Sequence, residues 1–133
     1  MTVLVTGGAG YIGSHMVLDL MKIGEEIVVL DDFSTGRASN LLNVKNMVDF
    51  RLVEGSILDL KLVNELVHGA DYVFHLAADV GVFNIVNNPL ASLLTNIRGT
   101  ENILEAAHSS NVPVFIASSS EVYGKNISDS LKE

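Results

Sequence analysis

The stretch VLVTGGAGYIGSH, Val3 to His15, sets four glycines between an apolar run and the start of a helical pattern. Two spacings overlap there, Gly7-x-x-Gly10-x-x-Gly13 and Gly8-x-Gly10-x-x-Gly13. Glycine lets a backbone turn tightly and lets a pyrophosphate approach bare N–H groups. A helix opening near Tyr11 would point its positive end at that pyrophosphate. No Gly-Lys-Ser/Thr follows, which excludes an NTP-hydrolysing P-loop. Asp31 closes the second apolar run, where a carboxylate accepts hydrogen bonds from both ribose hydroxyls of an adenosine and repels a 2′-phosphate. Further on, ASSSEVYG, Ala117 to Gly124, gathers three hydroxyls and a carboxylate. These are either an exposed polar turn or a group that holds a sugar hydroxyl while Glu121 handles a proton.

The elements that must position these residues alternate along the chain. Short apolar runs at Val3–Thr6, Ile27–Leu30, Phe50–Val53, Tyr72–Leu76 and Val112–Ala117 read as strands covered on both faces. Ile12, Met16, Leu20 and Ile23 repeat at helical spacing, with Gly24 placed to end the helix. A short helix is expected after Ser34–Asn40, and a second full helix over Leu60–Val67, with Asp59 as N-cap. A long helix follows Pro89, with Leu90, Leu93, Leu94, Ile97, Leu104 and Ala107 on one face, most simply a core face. Strands separated by helices imply an α/β fold, a doubly wound parallel sheet with right-handed crossovers. The strand ends that carry EGSILD (Glu54–Asp59), HLAAD (His75–Asp79) and ASSSEVYG then share one rim, where ligands of open α/β sheets lie. The expected domain is 1–124, followed by a polar tail at 125–133 without period.

Composition limits the function classes. The 133 residues suit one domain, and the 48% hydrophobic share is ample for a core. A formal charge of −8 argues against a nucleic-acid partner, because no basic patch is available for a phosphate backbone. No run approaches the roughly 18 apolar residues that span a membrane, and no signal peptide is visible. The absence of cysteine removes disulfides and thiolate metal sites and fits a cytoplasmic location. His15, His68, His75 and His108 show no metal-ligand spacing, so no metal is expected and each is assigned a structural role.

The combination VTGGAGYIGSH, DDFSTGR, HLAA, NIRGTENILEAA and SSSEVYG, in this order, resembles the extended short-chain dehydrogenase/reductases. These are the NAD-dependent nucleotide-sugar epimerases, dehydratases and decarboxylases, built on a Rossmann-type NAD-binding domain. The resemblance covers essentially the whole chain. It implies that Gly7, Gly10 and Gly13 cradle the pyrophosphate of NAD, with Tyr11 and Ile12 lending N–H groups. It places Asp31 on the adenosine ribose, with Ser34, Thr35 and Gly36 closing over that side. Ser56 stands where many members carry an aspartate for the adenine amine, next to Ile57. Leu76, Ala77, Ala78, Asn96, Ala117 and Ser118 would complete the cofactor site. Ser119 matches the serine or threonine that holds the sugar 4-hydroxyl, and Glu121 a glutamate of the dehydratases and decarboxylases. A nucleotide-sugar substrate and a homodimer of the full-length protein, through the helix after Pro89, are further implications.

One departure bears on mechanism. The family's chemistry needs a Tyr-x-x-x-Lys pair, yet Tyr11, Tyr72 and Tyr123 are followed four places on by His15, Leu76 and Ile127. The expectation is therefore the NAD-binding portion of a longer enzyme, cut before the family's C-terminal elements, which binds NAD without turnover. A non-catalytic dinucleotide sensor on the same fold is the alternative from another class.

Overall fold

The computed structural model describes residues 1–124, so the expected tail at 125–133 lies outside the described residues. Five parallel strands form one sheet in the order β3-β2-β1-β4-β5. They are β1 (Thr2–Thr6), β2 (Glu26–Asp31), β3 (Phe50–Glu54), β4 (Tyr72–His75) and β5 (Val114–Ile116). The α/β, doubly wound Rossmann-type architecture is thus the one expected. From β1 the chain builds outward through β2 and β3, then crosses back to lay β4 against the other side of β1. Register pairs Val5 with Val29 on one flank and with Phe74 on the other.

Alternation along the strands divides the core in two. Val3, Val5, Ile27 and Val29 face α1 (Tyr11–Lys22) and bury Val17, Leu41 and Val44 with them. Leu4, Val28, Leu30 and Val73 face the opposite way, onto Val63, Leu66 and Val67 of α2 (Leu60–His68) and Ile103, Ala106 and Ala107 of α5 (Thr100–Ser110). Local signals behave as their chemistry requires. The Asp59 carboxylate accepts from the Leu62 N–H and caps α2, and Gly24 takes a positive φ of 87° to end α1. In place of the short helix expected after Ser34–Asn40 there is a single 3-10 turn, Ala38–Leu41, which starts within that polar stretch.

Three expectations are corrected. The helix after Pro89 is composite: α4 (Pro89–Leu94), a π turn (Thr95–Gly99) and α5 run on from one another, and a further helix, α3 (Val82–Asn87), precedes them. Its leucine stripe is not a core face, since Leu90, Leu93, Leu94, Ile97 and Leu104 are exposed and only Ala107 of that set is buried. The buried side carries Ser92, Gly99, Asn102 and Ala106, small or polar residues that let the helix approach closely, together with the core residue Ile103. The extra residue per turn in the π segment also shifts the phase of α5 against α4. Lastly, β5 is shorter than Val112–Ala117 and forms a sheet edge, with Phe115 and Ile116 exposed; β3 forms the other edge. Among the described residues, no helix is long and apolar enough to cross a membrane.

Candidate functional site

A cleft of about 1090 Å³ opens at the carboxyl ends of the strands, centred where β1 and β4 diverge. One wall is the glycine loop. Gly7 has φ 72°, and a Cβ there would stand 2.7 Å from the Ala77 backbone nitrogen. A Cβ on Gly13 would clash with the Gly7 carbonyl oxygen, so α1 starts against bare backbone. Gly10 is the N-cap of α1 and offers no side chain to the helix end, which leaves the first-turn N–H groups turned to the cleft without a side-chain acceptor. The loop is held from behind by Ala9. Its N–H donates to Asp31 Oδ2 at 2.8 Å, and its carbonyl accepts from Arg37 N and Asn40 Nδ2 at 3.0 and 2.8 Å.

Asp31 is buried, and its Oδ1 accepts from the Phe33 N–H at 2.9 Å. The carboxylate therefore has a structural duty, tying the glycine loop to the β2 loop. Each oxygen keeps a second lone pair for a ligand hydroxyl. Ser34, Thr35 and Gly36 line the cleft beside it, as do Tyr11 and Ile12, both largely exposed.

The opposite wall comes from the β4 end and the π turn. The Asn96 side chain grips the Asp79 backbone at both ends, Oδ1 accepting from its N–H at 2.7 Å and Nδ2 donating to its carbonyl at 3.0 Å. Ser92 Oγ donates to Asp79 Oδ2 at 2.5 Å. His75 lies between the walls, 3% exposed. Thr100 Oγ1 donates its proton to the Asn96 carbonyl at 2.7 Å, so it can only accept from His75 Nε2 at 3.0 Å. The imidazole is thereby the neutral Nε2–H form, and its Nδ1 accepts from Thr6 Oγ1 at 2.7 Å. Thr6 Oγ1 in turn accepts the Ala77 N–H at 3.2 Å. Burial pushes the His75 pKa down from 6.5 to about 4.

Leu76, Ala77, Ala78 and Asn96 line this wall, Ile57 lines the rim beyond β3, and Ala117, Ser118 and Ser119 line the cleft at the end of β5. Ser56 is not on the wall: its Oγ accepts from the Leu58 N–H at 3.2 Å in a local turn. Glu121 falls in the 3-10 turn Ser120–Tyr123, and its side chain lies outside the described residues. The sequence reading assigned Thr100 and Ser92 no role, and Asp79 only a place at the end of HLAAD. A buried serine and a half-buried threonine and aspartate in and beside a helix are a weak signal, legible only once the π turn is known. Among the described residues no cluster of His, Asp or Glu could hold a metal ion.

A bare-backbone loop at a helix N-terminus, a carboxylate across from it and a long apolar trough between them fit a dinucleotide. Comparison with known proteins agrees. The chain is 41% identical over 122 residues to a UDP-N-acetyl-alpha-D-glucosaminuronate decarboxylase of Bacillus cytotoxicus, covering 92% of this chain and 37% of that one. It is 41% identical over 127 residues to a dTDP-glucose 4,6-dehydratase of Mycobacterium tuberculosis, covering 93% and 38%. Among solved structures, the dTDP-glucose 4,6-dehydratase of Streptomyces venezuelae, solved with NAD bound, superposes with a TM-score of 0.91 at 35% identity, covering 98% and 43%. The UDP-glucose-4-epimerase of Stenotrophomonas maltophila, also with bound NAD, gives 0.87 at 32% identity, covering 98% and 40%. The chain thus spans roughly two fifths of the length of these relatives. Residues 3–133 match the NAD dependent epimerase/dehydratase family, and the chain belongs to that NAD-dependent family of nucleotide-sugar epimerases, dehydratases and decarboxylases.

Proposed function

We propose that this chain is the NAD-binding portion of a nucleotide-sugar epimerase or dehydratase that oxidises its substrate transiently at sugar C4. The observation that carries the reading is the single cleft that brings the Gly7–Gly13 loop, the buried Asp31 and Ser119 to one rim. In this reading the N–H groups at the start of α1 hold the pyrophosphate, and Asp31 accepts from the adenosine ribose hydroxyls. Ala77, Ala78 and Asn96 flank the nicotinamide side, with Ala117 and Ser118 closing the site at β5. NAD, when bound, supplies the hydride acceptor for the sugar carbinol. Ser119 orients the 4-hydroxyl, and Glu121 serves proton transfer at C5.

The sequence contains no Tyr-x-x-x-Lys pair. Oxidation of the sugar carbinol needs a base for the hydroxyl proton, and the tyrosine of that pair is the base in this family, so the chain alone binds NAD without turnover. The decarboxylase branch is a second reading, favoured by the Bacillus cytotoxicus relative, which is as similar as the dehydratase. The exposed stripe Leu90, Leu93, Leu94, Ile97 and Leu104 supports a homodimer contact in the full-length protein.

Calorimetric titration with NAD, followed by incubation with NAD and candidate nucleotide sugars while NADH absorbance and conversion of the sugar are both recorded, tests the reading. Saturable NAD binding with neither NADH nor conversion of the sugar is expected. Absence of NAD binding would overturn the assignment, and turnover by this chain would overturn the account of the missing base.

A further inference from the structure

The imidazole of His75 is buried, hydrogen-bonded at both nitrogens and unused by the proposed chemistry, yet it lies on the floor of the cleft. Its partners lead to the two elements that build the wall facing the glycine loop. Through Thr6 Oγ1 it reaches the Ala77 N–H at the end of β4. Through Thr100 Oγ1 it reaches the Asn96 carbonyl in the π turn, whose side chain clamps Asp79. Every hydrogen in that chain has a fixed direction: Ala77 N–H to Thr6, Thr6 O–H to Nδ1, Nε2–H to Thr100, Thr100 O–H to Asn96. The order permits one neutral tautomer only, so the β4 end and the π turn cannot shift apart without breaking a bond in the series.

We propose that His75 is a positioning residue for the dinucleotide: as a rigid Nε2–H spacer between Thr6 and Thr100, it sets the separation of the β4 end and the π turn, the two parts of that wall that carry Ala77 and Asn96. The inference rests on the NAD-binding reading given above. A merely structural link would change the melting temperature of the protein. A spacer for the cleft must also change NAD affinity well below that temperature, and must do so according to the hydroxyl rather than the size of its partner.

Thr100→Val keeps the shape and removes the hydroxyl, whereas Thr100→Ser keeps the hydroxyl. The expected result, from calorimetric titration with NAD at a temperature where all forms are folded, is a Kd raised about tenfold in Thr100→Val and restored to within about twofold in Thr100→Ser. Thr6→Val and Thr6→Ser repeat the test on the other arm. If Thr100→Val does not fold, an imidazole nitrogen-15 spectrum of the unmutated protein decides. A neutral Nε2–H pattern at neutral pH that moves on addition of NAD supports the proposal, and an Nδ1–H pattern or an unmoved resonance overturns it. NAD binding unchanged by Thr100→Val overturns this inference alone. No NAD binding by the unmutated protein overturns the functional reading, and this inference with it.

Discussion

Acid should weaken this fold through His75. The folded imidazole has its pKa lowered from 6.5 to about 4 by burial. A depressed histidine means that the unfolded chain binds the extra proton more readily. The stability it contributes is therefore fully present above pH 6.5 and is lost as pH falls from there towards 4. Over that whole window the difference corresponds to about 3 kcal/mol, and between pH 7.5 and pH 5 to about 2 kcal/mol. The structural cost is concrete. A protonated Nδ1 would face Thr6 Oγ1, which already accepts the Ala77 N–H, so the hydroxyl proton would have to find another acceptor. Urea denaturation of the wild type and of His75→Gln at pH 7.5 and pH 5 isolates the effect, because other groups contribute equally to both proteins. The variant is expected to be less stable at pH 7.5 but to lose about 2 kcal/mol less than wild type on acidification. Equal losses, or an imidazole that titrates near 6.5 in the folded protein, would refute the reasoning.

Gly13→Ala should raise the NAD Kd by at least about tenfold, because its Cβ would meet the Gly7 carbonyl, a backbone atom that moves only with the loop; unchanged affinity by calorimetry would sink the cradle. Asp31 should favour NAD over NADP by about 1–3 kcal/mol of charge repulsion. Asp31→Asn should erase that preference and also lower the melting temperature, since an amide nitrogen would face the Ala9 or Phe33 N–H. Equal NADP binding by wild type would instead direct attention to Arg37. Ile97→Glu with Leu94→Glu, on the exposed stripe, should shift any dimer seen by light scattering towards monomer without loss of helical circular dichroism. In a full-length protein, Ser119→Ala should cut turnover with nucleotide sugar about 10²–10⁴-fold while NAD binding persists; loss of NAD binding would reassign Ser119 to the cofactor.

The sequence by itself determined the sheet, the glycine loop and the carboxylate opposite it. Those depend on local rules: apolar runs that must be covered on both faces, a turn only glycine can make, a cap from Asp59 and a positive φ at Gly24. Family resemblance added Asn96 and Ser119, and the fold brings both to the same cleft. Tertiary structure decided which side of the helix after Pro89 is buried. Hydrophobicity alone chose the leucine stripe, but close approach to the sheet and to Ile57 favours the side with Ser92, Gly99, Asn102 and Ala106. It also decided the second duty of Asp31 and the tautomer of His75. Both arise from hydrogen bonds between residues far apart in the chain, Ala9 with Asp31 and Thr6 with His75 and Ala77. A periodicity reports one element at a time, whereas a proton's direction is fixed only when every neighbour of the group has been placed.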